Sequence, residues 1–97
     1  MSKYSILIPV HNEVNHIPLL LNSLKYYSNE GHEVIIIDDG SDDGGTKILK
    51  NCKMINLICI PENKGKGYAL KEGLKSANNE KVVIFDGDME LDPKGIE

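Results

Sequence analysis

The sequence contains no arginine: all eleven of its basic residues are lysines, scattered along 97 positions and outnumbered by fifteen acidic residues, for a net charge of -4. Recognition of a nucleic-acid backbone normally shows as an excess of Lys and Arg, so a nucleic-acid partner is excluded from the reading. Cysteine is nearly as scarce. Cys52 and Cys59 are the only two and lack CxxC spacing, which points to reduced, packed thiols in a cytoplasmic setting rather than to a disulfide or metal pair. Long apolar runs are also missing. No stretch approaches the roughly 20 residues that span a bilayer, and the amino-terminal MSKYSILIPV is not a signal peptide, so this segment carries no membrane span. The glycine pattern fits neither GxxxxGK[ST] nor GxGxxG. The length allows one small core, without room for separate donor and acceptor sites.

What is present is a regular alternation. Residues 4–10 (YSILIPV), 33–37 (EVIII), 54–60 (MINLICI) and 81–85 (KVVIF) are rich in Ile, Val and Leu and read as strands. Val14, Ile17, Leu20 or Leu21 and Leu24 recur at three to four residues, predicting an amphipathic helix over about 13–28. A second pattern predicts a helix over about 66–78, and a short one fits 46–53. Strands alternating with helices imply crossovers and a parallel sheet, hence an α/β, Rossmann-like sheet of about four strands with flanking helices. The fourth run, with no polar alternation, suggests a strand buried on both faces.

Each strand is followed by polar chemistry. The first ends in Pro9-Val10-His11-Asn12-Glu13, the second in Asp38-Asp39-Gly40-Ser41-Asp42-Asp43, the third in Glu62-Asn63-Lys64-Gly65-Lys66-Gly67, and the fourth in Asp86-Gly87-Asp88. A parallel sheet brings these segments to one edge, where α/β folds bind their ligands. Clustered carboxylates repel unless a cation or a hydrogen-bonding ligand offsets them. Asp86 and Asp88, separated by a glycine, can reach one divalent ion, and oxygen-only ligands suit Mg²⁺ or Mn²⁺ beside a diphosphate. Asp38 or Asp39 stands where a nucleoside is commonly read, although Asp-Gly also makes a turn and Ser41 or Asp42 could cap a helix. Lys64 and Lys66, with Gly65 and Gly67, suit phosphate approach at a helix amino terminus or a plain loop-to-helix transition. His11, His16 and His32 show no ligand spacing and read as surface or loop residues.

In order, IPVHNE (8–13), IIIDDGSDDGG (35–45), ENKGKGYALKEGLKSA (62–77) and VIFDGDMELDP (83–93) resemble the successive signatures of the inverting family-2 glycosyltransferases of the GT-A fold. The similarity covers nearly the whole chain and is greatest to the branch that transfers hexoses to polyprenyl phosphates. It implies that Pro9, Asn12 and Glu13 line a nucleotide pocket, that Asp38 or Asp39 contacts base or ribose, and that Lys66 lies near the nucleotide. It further implies that Asp86 and Asp88 hold a divalent metal together with ribose or diphosphate, with Glu90 a candidate third ligand. Two positions depart from the family pattern: His11 replaces the aromatic residue often found before Asn-Glu, and Gly44-Gly45 carries one extra residue before Thr46.

The implied reaction is inverting transfer of a hexose from a UDP- or GDP-sugar to an acceptor such as polyprenyl phosphate or a glycan. Residues 1–97 are then the nucleotide-sugar-binding portion, the amino-terminal half of a GT-A domain truncated before the general base. Such a protein is cytoplasmic, with the cytoplasmic face of a membrane as the alternative for a longer form. The cut edge would favour a homo-oligomer. Two other readings are a non-catalytic nucleotide-binding module and a nucleotidyltransferase, the latter weakened because His-Asn-Glu stands where a glycine-rich basic loop would follow the first strand. The expectation is that residues 1–97 alone turn over no nucleotide sugar; measurable transfer in a product assay would overturn it.

Overall fold

The computed structural model describes residues 3–85. The elements run β1 (Tyr4–Val10), α1 (Ile17–Asn29), β2 (Glu33–Asp39), α2 (Gly45–Lys50), β3 (Asn56–Ile60), α3 (Lys66–Ser76) and β4 (Lys81–Ile84). All strand pairs are parallel, in the order β3-β2-β1-β4. The expected α/β sheet with flanking helices is the fold found.

Central strands of a parallel sheet are covered on both faces, so they tolerate apolar residues at every position. In β1, Ile6, Leu7 and Ile8 are all fully buried, as are Ile35, Ile36 and Ile37 in β2. Pleating divides them between two cores. Ile6, Ile8, Val10, Val34 and Ile36 meet Ile17, Leu20, Leu24 and Tyr27 of α1 and Leu49 of α2. Leu7, Ile35 and Ile37 face the other way, against Ala69 of α3 and Ile60. The second layer holds a single helix, so α3 must sit close. Gly73 provides that closeness: a Cβ there would lie 2.7 Å from Ile37 Cδ1 and 3.1 Å from Leu7 Cδ2.

Several boundaries and one burial pattern differ from the sequence expectation. β2 continues two residues further, so Asp38 and Asp39 are strand residues: Asp38 pairs with Val10 of β1 and Cys59 of β3, and Asp39 with Ile60 of β3. α1 starts at Ile17 rather than near 13, with Pro18 in its first turn, where a missing N–H costs nothing. β3 starts at Asn56. β4 is not buried on both faces: it is an edge strand whose Val82 and Val83 are half-buried and whose Ile84 is 49% exposed. Its composition suits a buried strand, but nothing among the described residues covers its outer side. No helix among them is long and apolar enough to cross a membrane.

Filling the space at Gly73 should separate α3 from the sheet. Gly73→Val is expected to lower stability by about 1–3 kcal/mol, the usual range for overpacking a filled core. Urea denaturation measures it; an unchanged midpoint would mean that α3 is free to shift.

Candidate functional site

The connections after β1, β2 and β3 leave the same edge of the sheet, and the chain's own hydrogen bonds hold them together. After β1 the backbone turns sharply, with Asn12 in the left-handed region at φ 51°. Asparagine tolerates that conformation, and here both its backbone and its side chain are used. The Asn12 N–H donates to Ser41 Oγ at 2.9 Å, and the Asp42 N–H donates to Asn12 Oδ1 at 2.8 Å. His11 Nδ1 lies 2.6 Å from the Asp39 carbonyl oxygen, a bond that requires the proton on Nδ1. The Val14 N–H donates to Asp43 Oδ2 at 2.9 Å, and the Gly45 N–H to Asp43 Oδ1 at 2.9 Å. The Val14 N–H therefore serves the loop-to-loop tie, and the late start of α1 follows from Pro18, which has no N–H to donate to the Val14 carbonyl.

Asp38 and Asp39 divide the same work between the two faces of the sheet. Successive strand residues point to opposite faces. Asp38 turns toward α2, accepting hydrogen bonds from the Ser41 N–H at 3.2 Å and from the Thr46 hydroxyl. Asp39 turns toward α3, accepting from the N–H groups of Lys64 and Gly65 at 2.8 Å each. Its charge sits just ahead of the amino terminus of α3, where the helix dipole favours an anion. The two residues are only 2% and 4% exposed. Buried carboxylates require this satisfaction, because an unpaired buried charge is very costly. Between the two connections Gly40 adopts φ 66°, and a Cβ there would lie 2.4 Å from Asn63 N and 2.5 Å from the Glu62 carbonyl carbon. Only glycine lets the β2–α2 loop rest on the β3–α3 loop.

These bonds change the electrostatic argument for the second strand end. Clustered carboxylates there are compensated by backbone N–H groups and a threonine hydroxyl, so they need no cation. Among the described residues no group of three His, Cys, Asp or Glu side chains could hold a metal. Asp86, Asp88 and Glu90 lie outside the described residues.

Of the other expected site residues, Pro9 is buried in β1 opposite Ile37. Glu13 is half-buried; its carbonyl accepts from the His16 and Ile17 N–H groups, and its carboxylate lies 2.9 Å from His16 Nδ1. Lys66 is exposed as the first residue of α3. Asn12, Asp38 and Asp39 thus share one cluster with the loops, whereas the Glu13 carboxylate is turned to its own segment. Asp43, Thr46 and His11 belong to the cluster too, and sequence reading gave them no such part. Their signal, a second carboxylate and a hydroxyl at five and eight residues past Asp38, reads equally as turn composition.

This edge can be set against known proteins. The model of the family "Glycosyl transferase family 2" matches residues 5–97. The chain belongs to that family. The chain is 31% identical, over 87% of its length and 30% of the relative's, to the dolichyl-phosphate beta-glucosyltransferase of Mus musculus. It is 32% identical, over 99% of its length and 32% of the relative's, to the undecaprenyl-phosphate 4-deoxy-4-formamido-L-arabinose transferase of Proteus mirabilis. It spans about a third of the length of these relatives. Among solved structures, the Pyrobaculum calidifontis mannosyltransferase PcManGT in complex with GDP-Man and Mn²⁺ superposes with a TM-score of 0.75 at 28% identity, covering 89% of this chain and 27% of that one. Residues 1–349 of S. aureus TarS in complex with UDP-GlcNAc give 0.73 at 33%, over 89% and 26%. The family-2 resemblance seen in the four motifs is therefore confirmed, and the GT-A-like fold with it.

In this family-2 chain the tie through Asp43 has a pH signature. The N–H groups of Val14 and then Gly45 hold its carboxyl below the ordinary value of 3.8, against a smaller opposing effect of burial. A lowered folded-state pKa contributes stability above the unfolded value and loses it as pH falls through the folded one. Asp43→Asn should therefore be less stable than wild type at neutral pH, with the gap closing as pH falls below about 3.8. Denaturation midpoints across pH check this; a gap independent of pH would refute it.

Proposed function

We propose that this chain is the nucleotide-sugar-binding portion of a metal-assisted, inverting glycosyltransferase that moves a hexose from a UDP- or GDP-sugar, with a polyprenyl phosphate as the favoured acceptor class. The observation that carries the reading is the edge itself: the segments after β1, β2 and β3 are bound to one another there and leave Asn12, Lys64 and Lys66 exposed. The relatives' printed activities, on dolichyl and undecaprenyl phosphates, support the acceptor class.

Within this reading each residue has a chemical task. Asp38 and Asp39 each accept one hydrogen bond per carboxylate oxygen from the chain, which leaves second lone pairs. With so little exposure, only a hydroxyl or base edge lodged against the loops reaches them, which is how a nucleoside would be read. Pro9, Asn12 and Glu13 form the neighbouring wall. Lys66 and the start of α3 face the diphosphate with positive charge and amide donors. Gly67 suits this: no described residue lies within 4 Å of where its Cβ would be, so the backbone there is open to a diphosphate.

By residue type, Asp86, Asp88 and Glu90 would offer oxygen-only donors of the kind that suit Mg²⁺ or Mn²⁺. Such an ion supplies positive charge against a departing diphosphate, whose negative charge grows as the anomeric bond breaks. The aspartates' own part is to fix the position of that charge. A phosphate acceptor is already anionic and needs no base, whereas a sugar hydroxyl would need one in range.

Calorimetric titration with UDP- and GDP-hexoses, with and without Mn²⁺, tests the proposal. Mn²⁺ should strengthen binding, and Asp88→Ala should remove about tenfold or more of that gain. Metal-dependent binding that survives Asp88→Ala would sink the assignment.

A further inference from the structure

The opposite edge of the sheet carries a second polar assembly, built on one side chain. Glu33 begins β2, and its carboxylate accepts four hydrogen bonds from three other parts of the chain. Oε1 accepts from Ser5 Oγ of β1 at 2.7 Å and from the Asn78 N–H at 2.8 Å. Oε2 accepts from Asn78 Nδ2 at 2.7 Å and from Asn56 Nδ2, at the start of β3, at 3.1 Å. Ser5 Oγ in turn accepts from the Asn79 N–H at 3.1 Å, and Asn79 Nδ2 donates to Ser5 Oγ and the Tyr4 carbonyl at 3.2 Å each. One carboxylate therefore joins β2, β1, β3 and the segment that enters β4. Burial pushes its pKa up, but the donors from Asn78, Ser5 and Asn56 outweigh this and leave it below the ordinary value.

We propose that Glu33 is a positioning residue, whose carboxylate locks the edge strand β4 in register on β1 and so fixes where the chain leaves β4 toward the loop edge. The need for such a lock follows from the topology. β4 pairs with β1 over only four residues, Tyr4↔Lys81 to Leu7↔Ile84, and has no second neighbour among the described residues. A one-residue slip would turn Val82 and Val83 to the wrong faces. Asn78 and Asn79 stand directly before the first pair, so holding them to Glu33 and Ser5 sets the count. The effect is exerted from the far end of β2, roughly 20 Å from Asp39 at strand rise per residue. Its link to ligand binding rests on the function proposed above, in which the residues after Phe85 hold the metal.

Glu33→Gln tests the lock with little change in shape, because the new amide NH₂ would face donors where an oxygen accepted. Amide hydrogen exchange, corrected for intrinsic rates, should show protection at Val83 and Phe85 falling about tenfold or more, while Ile35 to Ile37 in β2 change less than twofold. Asn78→Ala should reproduce this, and the double variant should add little. Unchanged β4 protection, or an equal loss in every strand, would overturn the proposal. In parallel, Glu33→Gln should weaken the Mn²⁺-dependent part of UDP- or GDP-hexose binding and spare the part seen without metal; equal loss of both parts would count against register control. If the wild-type chain binds no nucleotide, the proposed function fails, and exchange alone decides the lock.

Discussion

Two adjacent residues of a β-strand cannot face the same way, and most of the loop edge depends on that constraint at the end of β2. Pleating sends Asp38 to the α1/α2 face and Asp39 to the α3 face. Each carboxylate then recruits the connection on its own side: Ser41 and Thr46 for one, Lys64 and Gly65 for the other. Three loops that share no sequence continuity become one surface. Were β2 one residue shorter or longer at that point, both carboxylates would face the wrong layer.

The strand has a second acidic residue at its other end, and the two ends make different use of charge. Glu33 gathers strand beginnings, and Asp38 and Asp39 gather strand endings. Both devices work through donors from backbone amides and neutral side chains instead of through cations, which is consistent with a chain that carries no arginine. Described ion pairs such as Lys64 with Glu62 and Lys75 with Glu72 are exposed, and exposed pairs contribute little. The apolar cores supply the bulk of the stability and the carboxylates supply geometry.

Much of the fold was legible in the sequence because apolar runs and helical spacing are local signals. Tyr4–Val10 was read to the residue. The errors have physical causes. The apolar run of β2 stops at Ile37, yet Asp38 and Asp39 continue the ladder, their carboxylates satisfied by amide and hydroxyl donors. The apolar spacing that includes Val14 predicts a start of α1 near 13, whereas Pro18 lacks the N–H that would bond the Val14 carbonyl and so confines itself to the first turn. The site was legible as a set of strand ends but not as a network. Contacts such as Asn12 with Asp42 or Ser5 with Asn79 join residues 30 and 74 positions apart, and no periodicity encodes them.

Membership of the family constrains what can vary at this edge. A donor pocket needs a rigid floor, because catalysis gains only when charge and donors already stand where the transition state needs them. This edge is held by buried carboxylates together with Asn12 and the Lys64 N–H, which leaves the lysine side chains out of the ties. Asn12, Asp38, Asp39, Asp43 and Gly40 are committed to holding loops, while Gly67 and the side chains of Lys64 and Lys66 lie at the surface. The division separates residues whose loss would move the whole edge from residues whose change would alter only what it meets. The surface positions can then change without cost to the sheet. The acidic residues of the second motif would stay fixed for reasons of folding, even if they never touched a ligand.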